Sequence, residues 1–365
     1  MMRAHKIRLY PNNAQATYFT KACGVARFAY NWGLAEWKRL FEAGEPVNEG
    51  IIRKRLNAIK NEQFPWMLEV TKCAPQLAIK NDLHNAFMNF FAKRAEFPKF
   101  HKKGVHDSFS LSNDQFGIKD EFVRIPKLGE VRLAEKLRFT GKILSATVSR
   151  TADKWFISIQ IELADNTTQT CKNQAVGVDF GVKSLAVLSD GTVIYSSKAS
   201  RKYENKLRRL NQELSRRRGA KKGEKQSANF KKTKRKIARL YAKITWLRAD
   251  ETHKLTTMLT QNYSLIGIED LNVKGMMSNH KLARSIADAT LSEARRQLEY
   301  KSEASGSRVV VADRWFPSSK TCSNCGAVKE TLDLSERVYH CEVCGFICDR
   351  DANAANNLEQ YARSA

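Results

Sequence analysis

The chain has 365 residues, and its 63 lysines and arginines outnumber its 38 aspartates and glutamates, which gives a formal net charge of +25. This length exceeds the usual size of one hydrophobic core, so two or more domains are expected. The charge is far more than solubility requires and is typical of a protein that binds nucleic acid. The first residues lack an apolar signal-peptide core, and no stretch of 18 apolar residues occurs, so we expect a soluble, intracellular protein.

The N-terminal part predicts a strand, a helical block and a group of further strands. Residues 5–10 alternate polar and apolar side chains and end at Pro11. From residue 13 to about 100, apolar residues recur three or four positions apart, which predicts helices. Basic and aromatic side chains are interleaved there, so this face is either a solvated surface or a site for a nucleic-acid backbone. Several short alternating runs between residues 106 and 165 predict a small barrel that the first strand completes.

The middle of the chain combines short apolar runs with a strongly basic segment. The run Val176–Ile194 predicts at least two strands with a turn at Asp190 and Gly191. Residues 201–248 contain 19 lysines and arginines against 3 glutamates, a local charge of +16, and two apolar stripes that predict a helical hairpin. A charge run is usually a solvated surface, but one so one-sided would repel itself, which favours a polyanionic partner. Further strands are predicted at Tyr263–Leu271 and Arg308–Asp313.

Four cysteines near the end of the chain have the spacing of a metal site. They form two CxxC pairs with 15 residues between them: Cys322, Cys325, Cys341 and Cys344. Four thiolates from two tight turns predict a closed, structural Zn2+ site. The alternatives are four unrelated buried thiols or a pair of disulfides, and disulfides would need an oxidising compartment that nothing here suggests. The other cysteines are most simply small core residues: Cys23, Cys73, Cys171 and Cys348.

Three carboxylates occur where an isolated charge is hard to accommodate. Asp179 interrupts an apolar run, Glu269 ends another, and Asp351 follows the second CxxC pair at the start of an Ala-rich helix. Hydrolysis of a phosphodiester can use two divalent cations about 3.5–4 Å apart, and Mg2+ prefers several carboxylate oxygens. The residues alone leave alternatives open, since Asp351 could merely cap its helix and Glu269 with Asp270 could be a surface pair.

Several motifs carry a resemblance to a known family. The most specific are Arg314-Trp-Phe-Pro-Ser-Ser-Lys-Thr-Cys-Ser-Asn-Cys-Gly326 and Asp349-Arg-Asp-Ala-Asn-Ala-Ala355. Others are Gly177-Val-Asp-Phe-Gly-Val-Lys-Ser-Leu185, Ile268-Glu-Asp-Leu271, Lys6-Ile-Arg-Leu-Tyr-Pro11 and Arg27-Phe-Ala-Tyr-Asn31. Over nearly its whole length the sequence resembles the TnpB (OrfB) proteins of bacterial insertion sequences, compact relatives of type V CRISPR effectors.

The resemblance implies a multidomain α+β protein with four parts. An RNase H-like (RuvC) nuclease domain would comprise residues 171–321 and 346–365, with the basic helical hairpin at 201–248. A zinc ribbon of residues 322–345 would contact target nucleic acid. A wedge-like β-barrel of residues 1–10 and 106–165 would carry a helical recognition insertion of residues 11–105. Asp179, Glu269 and Asp351 would be catalytic residues that bind two Mg2+ ions.

The resemblance also implies a function and partners. It predicts an RNA-guided DNA endonuclease that binds a transposon-encoded guide RNA and cleaves double-stranded target DNA beside a short adjacent motif. We expect a monomer within the ribonucleoprotein, in the bacterial cytoplasm and on the nucleoid when bound to target. The alternatives are a guided DNA-binding repressor without cleavage, or a transposition protein that acts without RNA. All three acids are present, and no tyrosine or serine nucleophile motif stands out, so the nuclease is favoured.

Overall fold

The computed structural model describes residues 2–163, 174–218, 226–280, 282–333 and 335–365. Two units can be distinguished, Met1–Asn166 and Thr167–Ala365, and each combines helices with a sheet, so the protein is a multidomain α+β protein. Within the described ranges, no helix has the length and apolar character needed to span a bilayer. Cys171, most of the predicted linker at 165–174 and residues 219–225 of the basic hairpin lie outside these ranges.

The N-terminal unit is built on a seven-stranded sheet with the strand order β2-β6-β7-β1-β5-β4-β3. Its strands are β1 (Met2–Tyr10), β2 (Ser108–Ser112), β3 (Gly117–Lys119), β4 (Phe122–Ile125), β5 (Gly129–Leu133), β6 (Lys142–Thr151) and β7 (Lys154–Glu162). Strand β1 pairs antiparallel with β7 along most of its length and with β5 at its end, so the first strand joins the later ones as predicted. The closure of this sheet into a barrel stays a prediction.

The helices of this unit lie between β1 and β2, where the periodicity predicted them. They are α1 (Asn13–Glu42), α2 (Glu49–Gln63), α3 (Cys73–Leu77) and α4 (His84–Phe91), with a π-helical segment at Ala78–Leu83 and a 3-10 turn at Pro65–Glu69. A second 3-10 turn, Asn113–Gln115, follows β2. A capping box starts α1: Asn12 Oδ1 accepts from the Gln15 amide at 2.9 Å, and Gln15 Oε1 accepts from the Asn12 amide at 3.0 Å. Cys23 and Cys73 are buried in the core, as expected.

The C-terminal unit contains a mixed five-stranded sheet. Its order is β10-β9-β8-β11-β12, with β8, β11 and β12 parallel and the other two antiparallel. The strands are β8 (Ala175–Phe180), β9 (Ala186–Leu188), β10 (Val193–Ile194), β11 (Leu265–Ile268) and β12 (Arg308–Val311). A separate antiparallel pair, β13 (Val338–His340) and β14 (Ile347–Asp349), lies between the sheet and the last helix in sequence.

Helices connect the parallel strands of this sheet, as parallel pairing requires a crossover. They are α5 (Ala199–Arg216), α6 (Ala228–Asn262), α7 (Val273–Met277), α8 (Ala283–Ala289) and α9 (Leu291–Ser305). A further helix, α10 (Arg350–Ser364), follows β14. Helices α5 and α6 form the predicted basic hairpin.

Two glycines on neighbouring strands let α10 lie directly against the sheet. Gly177 of β8 and Gly267 of β11 are partners in the parallel register. A Cβ at Gly177 would lie 1.8 Å from the Ala355 carbonyl oxygen, and one at Gly267 would lie 2.3 Å from the Leu358 carbonyl oxygen. Real Cβ atoms do not approach backbone this closely, so glycine is required at both positions. The contact fixes where α10 lies along β8 and β11.

We expect Gly177→Ala to destabilise the C-terminal unit by about 3 kcal/mol, the upper end of the usual overpacking range, because the obstacle is backbone. Thermal unfolding should show a melting temperature lower by roughly 6–12 °C. The matched control is Gly117→Ala, since a Cβ at this strand glycine meets nothing within 4 Å. Equal melting temperatures for the two variants would contradict the close contact.

Candidate active site and metal centre

Two carboxylates lie next to each other near the ends of two parallel strands. In the register of β8 and β11, the last pair is Val178 with Ile268, and Asp179 and Glu269 follow directly. Because the two strands run in the same direction, both side chains lie at the carboxyl edge of the sheet, where α/β folds usually place their sites. Residues that are 90 positions apart in sequence are thus brought together by strand pairing.

The third carboxylate, Asp351, arrives in the first turn of α10. The helix cap is Asp349, whose Oδ1 accepts from the Asp351 amide at 2.9 Å and from the Ala352 amide at 3.2 Å. The capping role considered for Asp351 therefore belongs to Asp349, a residue whose role the sequence did not reveal. The Asp351 carboxylate lies 3.2 Å from the Arg350 guanidinium.

The three acids are close enough to affect one another's charge. Burial, followed by the negative charges of Glu269 and Asp351, raises the pKa of Asp179 to about 8, and Arg350 partly offsets this. The accumulated charge and the carboxylate oxygens are the chemistry that suits a hard divalent cation such as Mg2+. Among the described residues, only the four cysteines form a group of potential metal ligands with all ligand atoms within 4.8 Å of one another. The three acids do not form such a group.

The two adjacent carboxylates Glu269 and Asp270 have different surroundings. Asp270 is held by the guanidinium groups of Arg295 and Arg314, and these hydrogen bonds lower its pKa. Glu269 instead accepts a hydrogen bond from the Ser318 hydroxyl, and no ion pair is found for it within the described part of the chain. The interpretation as a surface residue thus fits Asp270, which binds two arginines. Glu269 lies beside Asp179, where its carboxylate could bind a metal ion.

The four cysteines meet at one point, as predicted. The sulfurs of Cys322 and Cys344 lie 3.7 Å apart, and those of Cys325 and Cys341 lie 3.6 Å apart. A tetrahedral metal with bonds of about 2.3 Å to sulfur has sulfurs about 3.8 Å apart, so the cluster could hold a metal such as zinc. All four are free thiols, which does not support the disulfide alternative. Cys348 lies nearby and is half-buried, but it is not part of the cluster.

The two CxxC turns have the same backbone geometry. The Gly326 amide donates to the Cys322 carbonyl at 2.9 Å, and the Gly345 amide donates to the Cys341 carbonyl at 3.0 Å. Both glycines have left-handed backbone angles, φ of 78° and 72°, which other residues adopt only with strain. Each pair of cysteines is thus aimed at the metal position by a glycine-terminated turn.

Buried amides of α10 hold the segment that leads into the cysteine cluster. The Asn353 side chain donates to the Thr321 carbonyl at 2.6 Å and accepts from the Ser323 amide at 2.9 Å. One turn later, the Asn357 side chain donates to the carbonyls of Ser318 and Thr321, both at 2.7 Å. The helix that carries Asp351 is therefore tied to the metal loop. Two asparagines four positions apart on one helix face were the available sequence signal, but the sequence alone predicted no role for them.

Comparison with known proteins places the chain in a family. The OrfB_IS605 model, described as a probable transposase, matches residues 158–280, a Cas12f1-like TNB domain matches 292–358, and a helix-turn-helix domain of the OrfB_IS605 group matches 1–46. A protein of Streptomyces pristinaespiralis, named as a candidate RNA-guided DNA endonuclease, is 36% identical over 98% of this chain and 88% of its own length. The chain belongs to the TnpB (OrfB) family.

Other members and structures agree with this assignment. InsQ of Escherichia coli K12, also named as a candidate RNA-guided DNA endonuclease, is 34% identical over 98% of this chain and 91% of its own length. The fold of this TnpB-family chain is similar to that of Cas12f1 in a cryo-EM complex with guide RNA and target DNA. That match has a TM-score of 0.57 at 15% identity and covers 95% of this chain and 83% of the other. The resemblance found in the sequence is thus confirmed.

We expect the purified protein to contain one zinc ion per chain, measured by elemental analysis. Cys341→Ser should lose the metal, because the remaining three thiolates bind it far less tightly, and the loop that precedes α10 should loosen. Cys348→Ser is the matched control, since this neighbouring cysteine lies outside the cluster and its loss should leave the zinc content unchanged. A zinc-free wild type, or equal losses in both variants, would contradict the site.

Proposed function

We propose that this TnpB-family chain is an RNA-guided DNA endonuclease of a transposable element that cleaves DNA beside a short adjacent motif by Mg2+-dependent hydrolysis. The observation that carries the proposal is the convergence of Asp179, Glu269 and Asp351 at one edge of the sheet. The names of the most similar relatives support the same activity. The acids supply the catalytic site, and a paired guide RNA supplies the sequence specificity.

The three acids would hold two Mg2+ ions in the active protein. When bound, Mg2+ favours ionisation of an attacking water and stabilises the leaving oxygen of the phosphodiester. The protein's own part is positioning: strand pairing fixes Asp179 beside Glu269, and the Ser318 hydroxyl orients the Glu269 carboxylate. The Asp349 cap holds the helical turn that presents Asp351.

The architecture supports the proposed division into domains. The mixed sheet, with its acids on β8, after β11 and on α10, fits an RNase H-like (RuvC) core of residues 171–321 and 346–365. The cysteine cluster fits a zinc ribbon of residues 322–345, which would contact target nucleic acid. For the N-terminal unit, we propose the wedge-like barrel of residues 1–10 and 106–165 with the helical recognition insertion of residues 11–105.

The two alternatives have less support from the site. A guided repressor without cleavage would not need the acids, yet all three are present and interact. Many transposition proteins that act without RNA would need a tyrosine or serine nucleophile motif, and none stands out in the sequence. The support for this alternative is limited to the description of the OrfB_IS605 model. We therefore retain the nuclease as the proposed function.

The basic hairpin would contribute the contacts to nucleic-acid phosphates. In α6, apolar side chains such as Ile237 and Leu240 are buried against the rest of the unit. Five neighbouring basic residues are exposed: Lys231, Lys232, Lys234, Arg235 and Lys236. Other basic residues are paired within the protein, as Arg217 is with Glu213 at 2.5 Å, so the exposed group is the better candidate for external anions.

We expect Asp179→Asn to abolish cleavage while target binding stays near that of the wild type, because Asp179 would bind metal and not DNA. The rate should fall about 1,000-fold or more. RNA that copurifies with the protein is sequenced first, so that a matching target can be made for gel-shift and cleavage assays side by side. Asp250→Asn, at an exposed carboxylate of α6, is the matched control and should cleave normally. Near-normal cutting by Asp179→Asn would refute the assignment.

Replacing the five exposed basic residues of α6 by glutamate should weaken nucleic-acid binding and flatten its salt dependence. Each phosphate that the variant no longer neutralises should change the slope of log affinity against log salt by about 0.7–0.9. The matched glutamine variant, which removes charge without reversing it, should fall between this variant and the wild type. Binding isotherms at several salt concentrations decide the question, and an unchanged slope would show that the hairpin is only a solvated surface.

A further inference from the structure

Trp315 is the most exposed large hydrophobic side chain in the described part of the protein, at 85% of its full accessibility. It lies in the turn that follows β12, and neither the proposed acids nor the cysteine cluster uses it. A tryptophan ring left in water is costly in hydrophobic free energy, so its position calls for an explanation. The surroundings of the turn indicate what the ring could contact.

The turn is held firmly on the side that precedes the tryptophan. The Trp315 amide donates to Asp313 Oδ1 at 2.8 Å, which closes the turn. Arg314 donates to Asp270 from two nitrogens, at 2.7 and 3.0 Å, and Asp270 directly follows Glu269. The residue before Trp315 is thus anchored next to one of the proposed catalytic acids.

The turn is also held on the side that follows the tryptophan. The Phe316 ring packs against Tyr361 of α10, with ring centroids 4.8 Å apart. Two residues later, the Ser318 hydroxyl donates to the Glu269 carboxylate. The turn that carries the exposed indole is therefore held on both sides, and its contacts to Asp270 and Glu269 place this turn beside the acid site.

We propose that Trp315 is a positioning residue that stacks on an unpaired nucleobase of the DNA strand entering the acid site. This proposal rests on the proposed nuclease function. A duplex hides the faces of its bases, whereas a single strand exposes them, and stacking on an aromatic ring accepts every base. Such a contact suits a nuclease whose specificity comes from a guide, since it would set which phosphate reaches Glu269 without selecting a sequence.

The chemistry of the turn favours a nucleic acid over a protein partner. Asp313 and Arg314 beside the ring are charged and exposed, and Phe316 is turned toward α10, so the indole is not part of a continuous apolar surface on this turn. Protein interfaces instead bury a contiguous apolar core. A protein-docking role for Trp315 is an outcome that the experiment below distinguishes.

The test measures stacking directly in the Asp179→Asn background, where a bound strand would not be cut. The ribonucleoprotein is titrated with the target DNA that matches its guide RNA, carrying one 2-aminopurine that is placed at each position of the displaced strand in turn. At one position, the protein should quench the 2-aminopurine fluorescence. Trp315→Ala should remove this quenching and weaken binding about 5- to 100-fold, and Trp315→Phe should keep part of both. The salt slope should be unchanged, because stacking releases no counterions.

Controls separate this proposal from a structural role and from the nuclease proposal. Phe41→Ala removes another exposed aromatic side chain, 74% accessible, and should leave quenching and affinity unchanged. In the cleavage-competent protein, Trp315→Ala should raise KM more than it lowers kcat, with an unaltered melting temperature. A protein-docking role predicts unchanged binding and quenching in Trp315→Ala, and this result would overturn the stacking role. A changed salt slope would also overturn it. If Asp179→Asn abolishes cleavage but Trp315→Ala leaves it intact, the stacking proposal is wrong and the nuclease proposal stands.

Discussion

The close contact of α10 with β8 and β11 is the constraint on which the candidate site depends. It exists only because Gly177 and Gly267, paired across the sheet, have no side chains to separate helix backbone from strand backbone. The same helix carries Asp351 at its start and buried amides at Asn353 and Asn357. One packing contact therefore sets the distance between the acids and also places the cysteine loop, since the amides tie that loop to the helix.

The acid cluster is an unfavourable arrangement for the protein alone. Burial, followed by repulsion from the two neighbouring carboxylates, raises the pKa of Asp179 to about 8. The neighbouring acid Asp270 shows the opposite solution, since two arginines neutralise it. If stability were the only constraint on the protein, we would expect all four acids to be neutralised in this way. Arginines pair with Asp270 and, through Arg350, with Asp351, whereas no ion pair is found for Asp179 or Glu269 among the described residues. This is the electrostatic reason to regard the trio as functional.

Sequence reasoning succeeded where the signal is local and failed where it depends on tertiary register. Alternating apolar residues predicted most strands, and a charge inside an apolar run singled out Asp179. The family resemblance then assigned all three acids, which periodicity could not have paired across 90 and 82 positions. The roles of Asp349 and Ser318 were missed because a cap and a hydroxyl contact become visible only once α10 and β12 are placed. Strands β13 and β14, three residues each, are too short to show a period.

Three of the surfaces proposed to contact nucleic acid, the basic residues of α6, the acid site and Trp315, share one property, which is that none of them reads a sequence. Lysine and arginine contacts from α6 would meet phosphates, which are the same at every nucleotide. The acids at Asp179 and Glu269 would act on the phosphodiester through metal, and stacking on Trp315 would accept any base. A nuclease built from such contacts alone would cut indiscriminately. The sequence information must then come from another molecule, and a guide RNA that pairs with the target strand supplies it without requiring base-specific side chains in the cleavage site.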